Sequence, residues 1–270
     1  MHEAIDPVEL IDIGANLTHD SFDHDRDDTL RRAGNAGVTR LIVTGASADG
    51  SRQAVELSRQ HAGRLYATAG VHPHHADDFT DATRELIREL SGLDEVVAVG
   101  ECGLDYFRNF SSHEGQVHAF EAQLQIAIES GKPVFLHQRD AHDAFLDLLR
   151  QYLPDISGGV AHCFTGNAEQ MQAYLELGLY IGITGWICDE RRGQDLREAV
   201  RELPLDRVLL ETDAPYLLPR DLPEKPSSRR NEPALLPHVL RTLSRHMEKP
   251  ATDVARAATR NTEKLFGIPA

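Results

Sequence analysis

LIDIGANLTHDSF, residues 10–22, begins like a buried strand and then becomes polar. Its apolar beginning is the first of eight short strand-like runs that alternate with amphipathic, helix-like segments. Eight such units over a chain of 270 residues predict a (β/α)8 TIM barrel in one domain, residues 1–270. The predicted strands are LIDIGA (10–15), RLIVTG (40–45), LYATAGV (65–71), EVVAVG (95–100), PVFLH (133–137), GVAHC (159–163), LYIGIT (179–184) and RVLLET (207–212).

A doubly wound open sheet is the alternative fold. A GxGxxG phosphate loop after the first strand would favour it, and the sequence has none there. Both folds place ligands at the carboxyl ends of their parallel strands. The search for a site therefore starts at those ends under either prediction.

Composition narrows the class of protein. The chain is 41% hydrophobic and 26% charged, as is usual for a globular protein, and no run approaches the roughly 18 apolar residues of a membrane span. Three cysteines without a CxxC pair and an N-terminus without an apolar segment indicate a reduced, cytoplasmic protein. The net charge of −15 argues against a basic surface that grips long duplexes. No dimerisation segment is evident, which favours a monomer.

Polar side chains stand at the ends of several predicted strands. A lone histidine in such a place is more often a buried packing residue than a ligand. In a barrel, however, the strand ends converge on one pocket, where unpartnered charges would be costly to desolvate. A mixed set of carboxylates and imidazoles suits a divalent metal. The candidates are Asn16, His72, His74, Glu101, His137, His162 and Asp213.

Five segments of the sequence occur together in a known family. They are GVHPH (70–74), GECGLDY (100–106), PVFLHQRDAHD (133–143), HCFTG (162–166) and ETDAPYL (211–217). Together they resemble the TatD family of metal-dependent deoxyribonucleases, within the wider amidohydrolase-like barrels, over nearly the whole chain. The resemblance implies a barrel of the metal-dependent hydrolase type that cleaves phosphodiester bonds in nucleic acid. It also implies a metal site at Glu101, His137, His162 and Asp213.

The first strand departs from the usual pattern of this architecture, D-x-H-x-H. Here D-I-G-A-N puts Gly14 and Asn16 at the two histidine positions. Glycine offers no ligand atom, and an amide oxygen is a harder ligand than imidazole. The cofactor expected is therefore Mg²⁺, with Mn²⁺ as the alternative, rather than tightly held zinc.

The same D-I-G-x-N-L-T form points to one branch of the family. Together with GWICDERRG (185–193) and PRDLPEKPSSRRNEP (219–233), it resembles the branch associated with 3′–5′ exonuclease action on single-stranded DNA and RNA. The resemblance implies ends of single strands as the partner and a role in DNA repair or nucleic-acid turnover.

Roles within the site remain open in part. Asp213 completes the metal shell or accepts the proton of the attacking water. His72, His74, Arg139 and Asn16 are expected to contact the substrate, Arg139 through its charge.

Two groups outside the predicted metal set have both a functional and a structural interpretation. Arg220, Lys225, Arg229 and Arg230 hold phosphates or belong to a solvated loop. The aromatic residues of the predicted loops stack on bases or pack locally; they are Tyr106, Phe107 and Trp186.

Two rival functions make different predictions. A hydrolase of amides or esters, which the wider superfamily also contains, predicts a small, apolar pocket. A non-catalytic barrel that binds a partner protein predicts an exposed apolar patch.

Overall fold

The computed structural model describes residues 9–224 and 226–270 and confirms the predicted TIM barrel. Eight parallel strands pair in sequence order around one sheet. The strands are β1 (Leu10–Ala15), β2 (Val38–Val43), β3 (Leu65–Ala69), β4 (Val96–Asp105), β5 (Val134–Arg139), β6 (Gly159–Ala161), β7 (Tyr180–Ile183) and β8 (Val208–Leu210).

The last strand returns to the first just beyond its carboxyl end. Ala15 and Ala214 form an isolated parallel bridge. The backbone N–H of Asp213 donates to the carbonyl of Gly14 over 2.8 Å, and that of Asn16 donates to the carbonyl of Ala214 over 2.7 Å. These bonds bring the GAN and TDA segments side by side at the mouth of the barrel.

Helices cover the outside of the barrel, and several have clear sequence signals at their ends. Thr80 caps α3, and Gly131 ends α4 in the left-handed conformation (φ 68°) that favours glycine. None of the helices in the described residues is long and apolar enough to cross a membrane. Their bounds are α1 (Arg26–Asn35), α2 (Ala48–Gln60), α3 (Asp81–Ser91), α4 (His113–Ser130), α5 (His142–Tyr152), α6 (Ala168–Glu176), α7 (Gln194–Ala199), α8 (Leu236–Met247) and α9 (Ala251–Phe266).

The core consists of two buried layers. The larger lies between the strands and the helices. The smaller takes side chains from nearly every strand, and residues drawn from all round a closed sheet can meet only inside it. Its members include Ile13, Ile42, Phe135, Val160, Tyr180 and Leu209, with Phe266 and Ile268 from the C-terminal segment. The interior is therefore packed, and ligands are confined to the mouth.

Strand bounds differ from prediction most at β4. The predicted strand ends at Gly100, whereas β4 continues through Glu101 to Asp105, where Asp105 pairs with Arg139 of β5. Strands β6 and β8 are shorter than predicted, so His162, Thr212 and Asp213 lie in the segments that follow them.

Candidate active site

The carboxyl ends of the strands surround an open cavity of about 830 Å³. Every residue predicted for the site lines this cavity, so the structure brings the whole predicted set together. Those residues are Asn16, His72, His74, Glu101, His137, Arg139, His162 and Asp213. The barrel explains why they meet, because each lies at or just beyond the carboxyl end of a strand and these ends surround the mouth.

Glu101 lies at the centre of a cluster that it forms with His72, His137 and His162. Its Oε1 is 2.9 Å from His162 Nε2, 3.0 Å from His137 Nδ1 and 3.4 Å from His72 Nε2. The carboxylate is nearly buried, with 6% of the residue exposed. Three imidazole nitrogens thus point at one oxygen of a desolvated carboxylate.

The charges in this cluster depend strongly on one another. Burial opposes ionisation of Glu101, but the facing His72 and His162 outweigh it, so the pKa of Glu101 lies well below its usual range. Burial also opposes protonation of His162, yet Glu211 and Glu101 raise its pKa well above the ordinary value. His72 behaves in the opposite way, because burial dominates and lowers its pKa well below that of a free histidine.

Asp105 lies next to two of the histidines, at the carboxyl end of β4. Its Oδ2 is 2.8 Å from His74 Nε2 and 3.5 Å from His137 Nε2, and its Oδ1 accepts the backbone N–H groups of Phe107 and Arg108. The longer contact lacks hydrogen-bond geometry, which leaves the buried Nε2 of His137 without a hydrogen-bond partner among the described residues. Asp105 therefore orients His74 and the loop that follows β4.

Glu211 supports the third histidine. It is fully buried, its Oε2 is 2.9 Å from His162 Nδ1, and its Oε1 accepts the backbone N–H of Cys163 over 2.5 Å. A Cβ at Gly14 would lie only 2.6 Å from Glu211 Oε2. The space next to Gly14, one of the usual histidine positions, thus holds the Glu211 carboxylate.

Asp213 and Asn16 form a pair on the β8 side of the cavity. Asn16 Nδ2 donates to Asp213 Oδ1 over 3.0 Å. Burial raises the pKa of Asp213 to about 7, with Glu101 and Glu211 acting in the same direction and His162 against them. Asp12, by contrast, is enclosed by bonds from Thr212 and Gly14 and does not line the cavity.

The remaining predicted groups divide between the cavity and the outer loops. The Arg139 guanidinium lies 3.8 Å above the ring of Phe107 at the cavity. Arg230 instead makes a two-point ion pair with Asp25, which favours a structural role, and Lys225 lies outside the described residues. Of the cysteines, Cys102 is buried, whereas Cys163 is half-buried and lines the cavity.

The donors present suit a divalent metal. Ligand atoms of His72, Glu101 and His137 lie within 4.8 Å of one another, and the unpartnered Nε2 of His137 is a nitrogen of the kind that metals bind. His162 is joined to this group through Glu101. His72 therefore lies beside the predicted metal ligands, although it was not predicted to be one of them. The part played by Asp213 stays a prediction.

Sequence reasoning missed Asp105 and Glu211, although signals for both were present. Asp105 is four residues after Glu101, so alternation along an extended strand puts both on one face. Glu211 stands at the end of an apolar run, two residues before Asp213. The predicted fourth strand ends too early, at residue 100, and the predicted eighth strand ends too late, at residue 212. Neither Asp105 nor Glu211 was therefore predicted at the mouth.

Comparison with known proteins decides the family. The family model for TatD-related DNases matches residues 11–267. The chain belongs to the TatD family. It is 51% identical to the "3'-5' ssDNA/RNA exonuclease TatD" of Erwinia billingiae, over 97% of this chain and all of the relative. It is 52% identical to the protein of the same name from Escherichia coli K12, over 96% of this chain and 99% of that protein.

Solved structures agree with this assignment. The TatD homologue YjjV from Escherichia coli K12 is 31% identical, covers 98% of this chain with all of its own length, and has a TM-score of 0.88. A mutant organophosphorus hydrolase from Deinococcus radiodurans, at 15% identity and a TM-score of 0.65, shares the fold alone. TatD-family membership makes this chain a hydrolase of the nuclease type that depends on a divalent metal, and the cluster around Glu101 fits such an ion.

Proposed function

We propose that the protein is a Mg²⁺-dependent 3′–5′ exonuclease of single-stranded DNA and RNA. The observation that carries this proposal is the convergence of three histidines on Glu101 Oε1 at the floor of an open, polar cavity. Curated relatives with about half of their residues identical to this chain are named 3'-5' ssDNA/RNA exonucleases.

The residues of the cavity divide the work of phosphodiester hydrolysis. Glu101, His137 and His162 would hold a divalent ion, which supplies polarisation of a phosphate oxygen and a bound water of lowered pKa. Arg139, at the rim, pairs with the substrate phosphate and offsets its developing charge.

The remaining polar groups of the cavity transfer protons and position the substrate phosphate. Asp213, held by Asn16, accepts the proton of the attacking water. His74, fixed by Asp105, contacts the phosphate or protonates the leaving oxygen. His72 lines the same wall of the cavity and approaches the scissile phosphate beside His74.

The first strand supports Mg²⁺ as the ion, with Mn²⁺ able to replace it. Gly14 supplies no ligand, the neighbouring space holds Glu211, and Asn16 offers only an amide oxygen, since its Nδ2 donates to Asp213. Fewer nitrogen ligands from this side favour a more weakly held, harder ion over tightly bound zinc.

The shape of the cavity argues against the two rival functions. It is large and lined by many charged and polar side chains, unlike the small apolar pocket expected for an amide or ester hydrolase. The large hydrophobic side chains exposed among the described residues are mostly at this cavity rather than on a separate docking patch.

The cysteines bear on the compartment in which the enzyme works. All three cysteines are free thiols, which supports work in a reducing compartment, the cytoplasm. We propose a monomer that acts on strand ends in DNA repair or nucleic-acid turnover.

Removal and return of the metal tests the proposal. A single strand labelled at its 5′ end is incubated with purified protein in EDTA, and then with excess Mg²⁺, Mn²⁺ or Zn²⁺. We expect a ladder of products shortened from the 3′ end with Mg²⁺ or Mn²⁺ and intact substrate in EDTA. Shortening that persists in EDTA, or that occurs only with Zn²⁺, would contradict the metal assignment.

A further inference from the structure

Exposed aromatic rings are concentrated at the mouth of the cavity. Among the described residues, four large hydrophobic side chains are exposed: Phe107 (53%), Phe110 (65%), Tyr216 (51%) and Ile128 (37%). The three aromatic ones line the cavity, whereas Ile128 lies on the outer helix α4. Burial of apolar surface stabilises a fold, so exposed aromatic rings grouped at one site indicate binding.

The three rings stand on opposite sides of the site. Phe107 and Phe110 are in the loop after β4, and Tyr216 follows β8. In a closed sheet of eight strands, β4 and β8 face each other across the barrel. The cluster around Glu101 therefore lies between two aromatic walls.

Both walls are held in place by the site itself. Asp105 accepts the backbone N–H groups of Phe107 and Arg108, and His74 packs edge-on against Phe110 with centroids 4.8 Å apart. On the other side, the N–H of Tyr216 donates to the carbonyl of Asp213 over 2.9 Å, and Asn231 bonds the Tyr216 carbonyl. Rigid loops reduce the entropy lost when a ligand binds.

Other aromatic residues near the mouth are occupied. Tyr106 stacks on His113 at 3.6 Å between centroids, and Trp186 is half-buried under the guanidinium of Arg192 at 4.3 Å. Local packing therefore accounts for both. Phe107 differs, because it stays more than half exposed although Arg139 covers part of it.

The negative net charge of the protein means that attraction of phosphates alone gives little affinity for nucleic acid. The protein carries a net charge of −15, and Arg108 and Arg139 are the arginines that line the cavity within the described residues. Few phosphates can be neutralised by so few cations. Stacking of unpaired bases on aromatic rings needs no charge and tolerates any sequence.

We propose that Phe107, Phe110 and Tyr216 are base-stacking subsites that hold the terminal nucleotides of a single strand on either side of the metal cluster. This inference rests on the proposed function and names how the substrate is recognised. In a duplex only the outer face of the terminal pair is free, so rings on both sides of the site select unpaired ends.

Binding and turnover measured separately test the inference. Fluorescence anisotropy in EDTA gives the dissociation constant for a short labelled strand and for a strand of equal length whose three 3′-terminal nucleotides are abasic. The variants are Phe107→Ala, Phe110→Ala and Tyr216→Ala, with Ile128→Ala as the exposed apolar control. We expect each aromatic variant to bind the normal strand about 5- to 100-fold more weakly and the abasic strand unchanged.

The outcomes separate the inference from the proposed function. Equal binding by wild type and all aromatic variants, or equal losses on normal and abasic strands, would overturn the stacking subsites even if the enzyme degrades strands with Mg²⁺. Base-dependent binding without turnover would uphold the subsites and contradict the exonuclease. Circular dichroism on each variant identifies any that fail to fold, and Phe110→Leu, which keeps an apolar side chain without a ring, repeats the test in that event.

Discussion

Glu101 is the residue on which the candidate site depends. One of its carboxylate oxygens is the shared neighbour of His72, His137 and His162, and the site leaves it almost no exposure. The buried negative charge is stabilised by His137 and His162, whose pKa values are raised beside it. Removal of that charge therefore changes the whole cluster.

Glu101→Gln keeps the shape of the side chain and removes the charge. We expect turnover of a single strand to fall about 100-fold or more, because a lost metal ligand costs at least as much as a lost supporting residue. Unfolding by urea should remain cooperative, and the exposed Glu89→Gln serves as the matched control. A Glu101→Gln enzyme with near-normal turnover would exclude Glu101 from the metal site.

Glu211 sets which nitrogen of His162 is available. Its carboxylate accepts from His162 Nδ1, and Glu101 accepts from Nε2, so both nitrogens carry protons when no metal is bound. A metal at Nε2 would replace the proton there, and Glu211 would keep the remaining proton on Nδ1. In Glu211→Gln an amide N–H₂ can donate to Nδ1 and move the proton to Nε2. We expect the Mn²⁺ concentration for half-maximal activity to rise about 10- to 100-fold.

The metal titration distinguishes positioning from general damage. Activity of Glu211→Gln should recover at high Mn²⁺, whereas a misfolded protein would not respond. The exposed Glu176→Gln is the control. An unchanged Mn²⁺ requirement in Glu211→Gln would show that Glu211 does not orient His162.

Among the elements, the first helix and the residue before it are joined by ion pairs to Arg230 and Glu232, beyond β8. Arg230 bonds both carboxylate oxygens of Asp25, and Arg32 bonds Asp25 and Glu232. Arg230 and Arg32 hold the pKa of Asp25 well below its usual range, with burial opposing them. Arg230 thus stabilises the fold through Asp25, and it does not line the cavity.

Asp25→Asn tests this fastening through the pH dependence of stability. A carboxylate with a lowered folded pKa contributes stability above its unfolded pKa, near 4, and loses it as pH falls through the folded value. We expect the variant to be about 1 kcal/mol less stable at pH 7, since the pair is partly exposed and screened. The difference should narrow below about pH 4, and a constant difference in urea unfolding from pH 7 to pH 3 would refute the assignment.

The elements also show how far sequence reasoning reaches. Apolar runs such as LIDIGA predict β1 without error, because a buried parallel strand must be apolar along its length. ECGLD does not look like a strand, yet pairing with β5 extends β4 through it. The extension of β4 has no local signal, so the sequence predicts Glu101 after the strand rather than in it. The shared face of Glu101 and Asp105 follows from alternation only once the longer strand is known.

The same limit applies to the site. Eight residues were predicted from their type and their position at strand ends, and all eight line one cavity. The supporting bonds of Glu211 and the pairing of Asn16 with Asp213 join strands far apart in sequence. Only the closed barrel brings those partners together, so their contacts could not be read from spacing.

At the scale of the whole molecule, a closed, packed barrel restricts where a polymer can react. Its interior is filled by side chains such as Phe135 and Tyr180, and the cluster around Glu101 lies at the floor of a cavity at one end. A strand must enter this cavity from the mouth and cannot pass through the barrel. A terminus fits such a site better than the middle of a chain.

We expect this cavity to remove nucleotides from a free 3′ end. The most direct measurement mixes a linear single strand with the same sequence closed into a circle and follows both after Mg²⁺ is added, with Glu101→Gln as the inactive control. We predict that the linear strand is shortened stepwise while the circle stays intact, and that the variant leaves both unchanged. Cutting of the circle at a rate similar to that of the linear strand would contradict the claim.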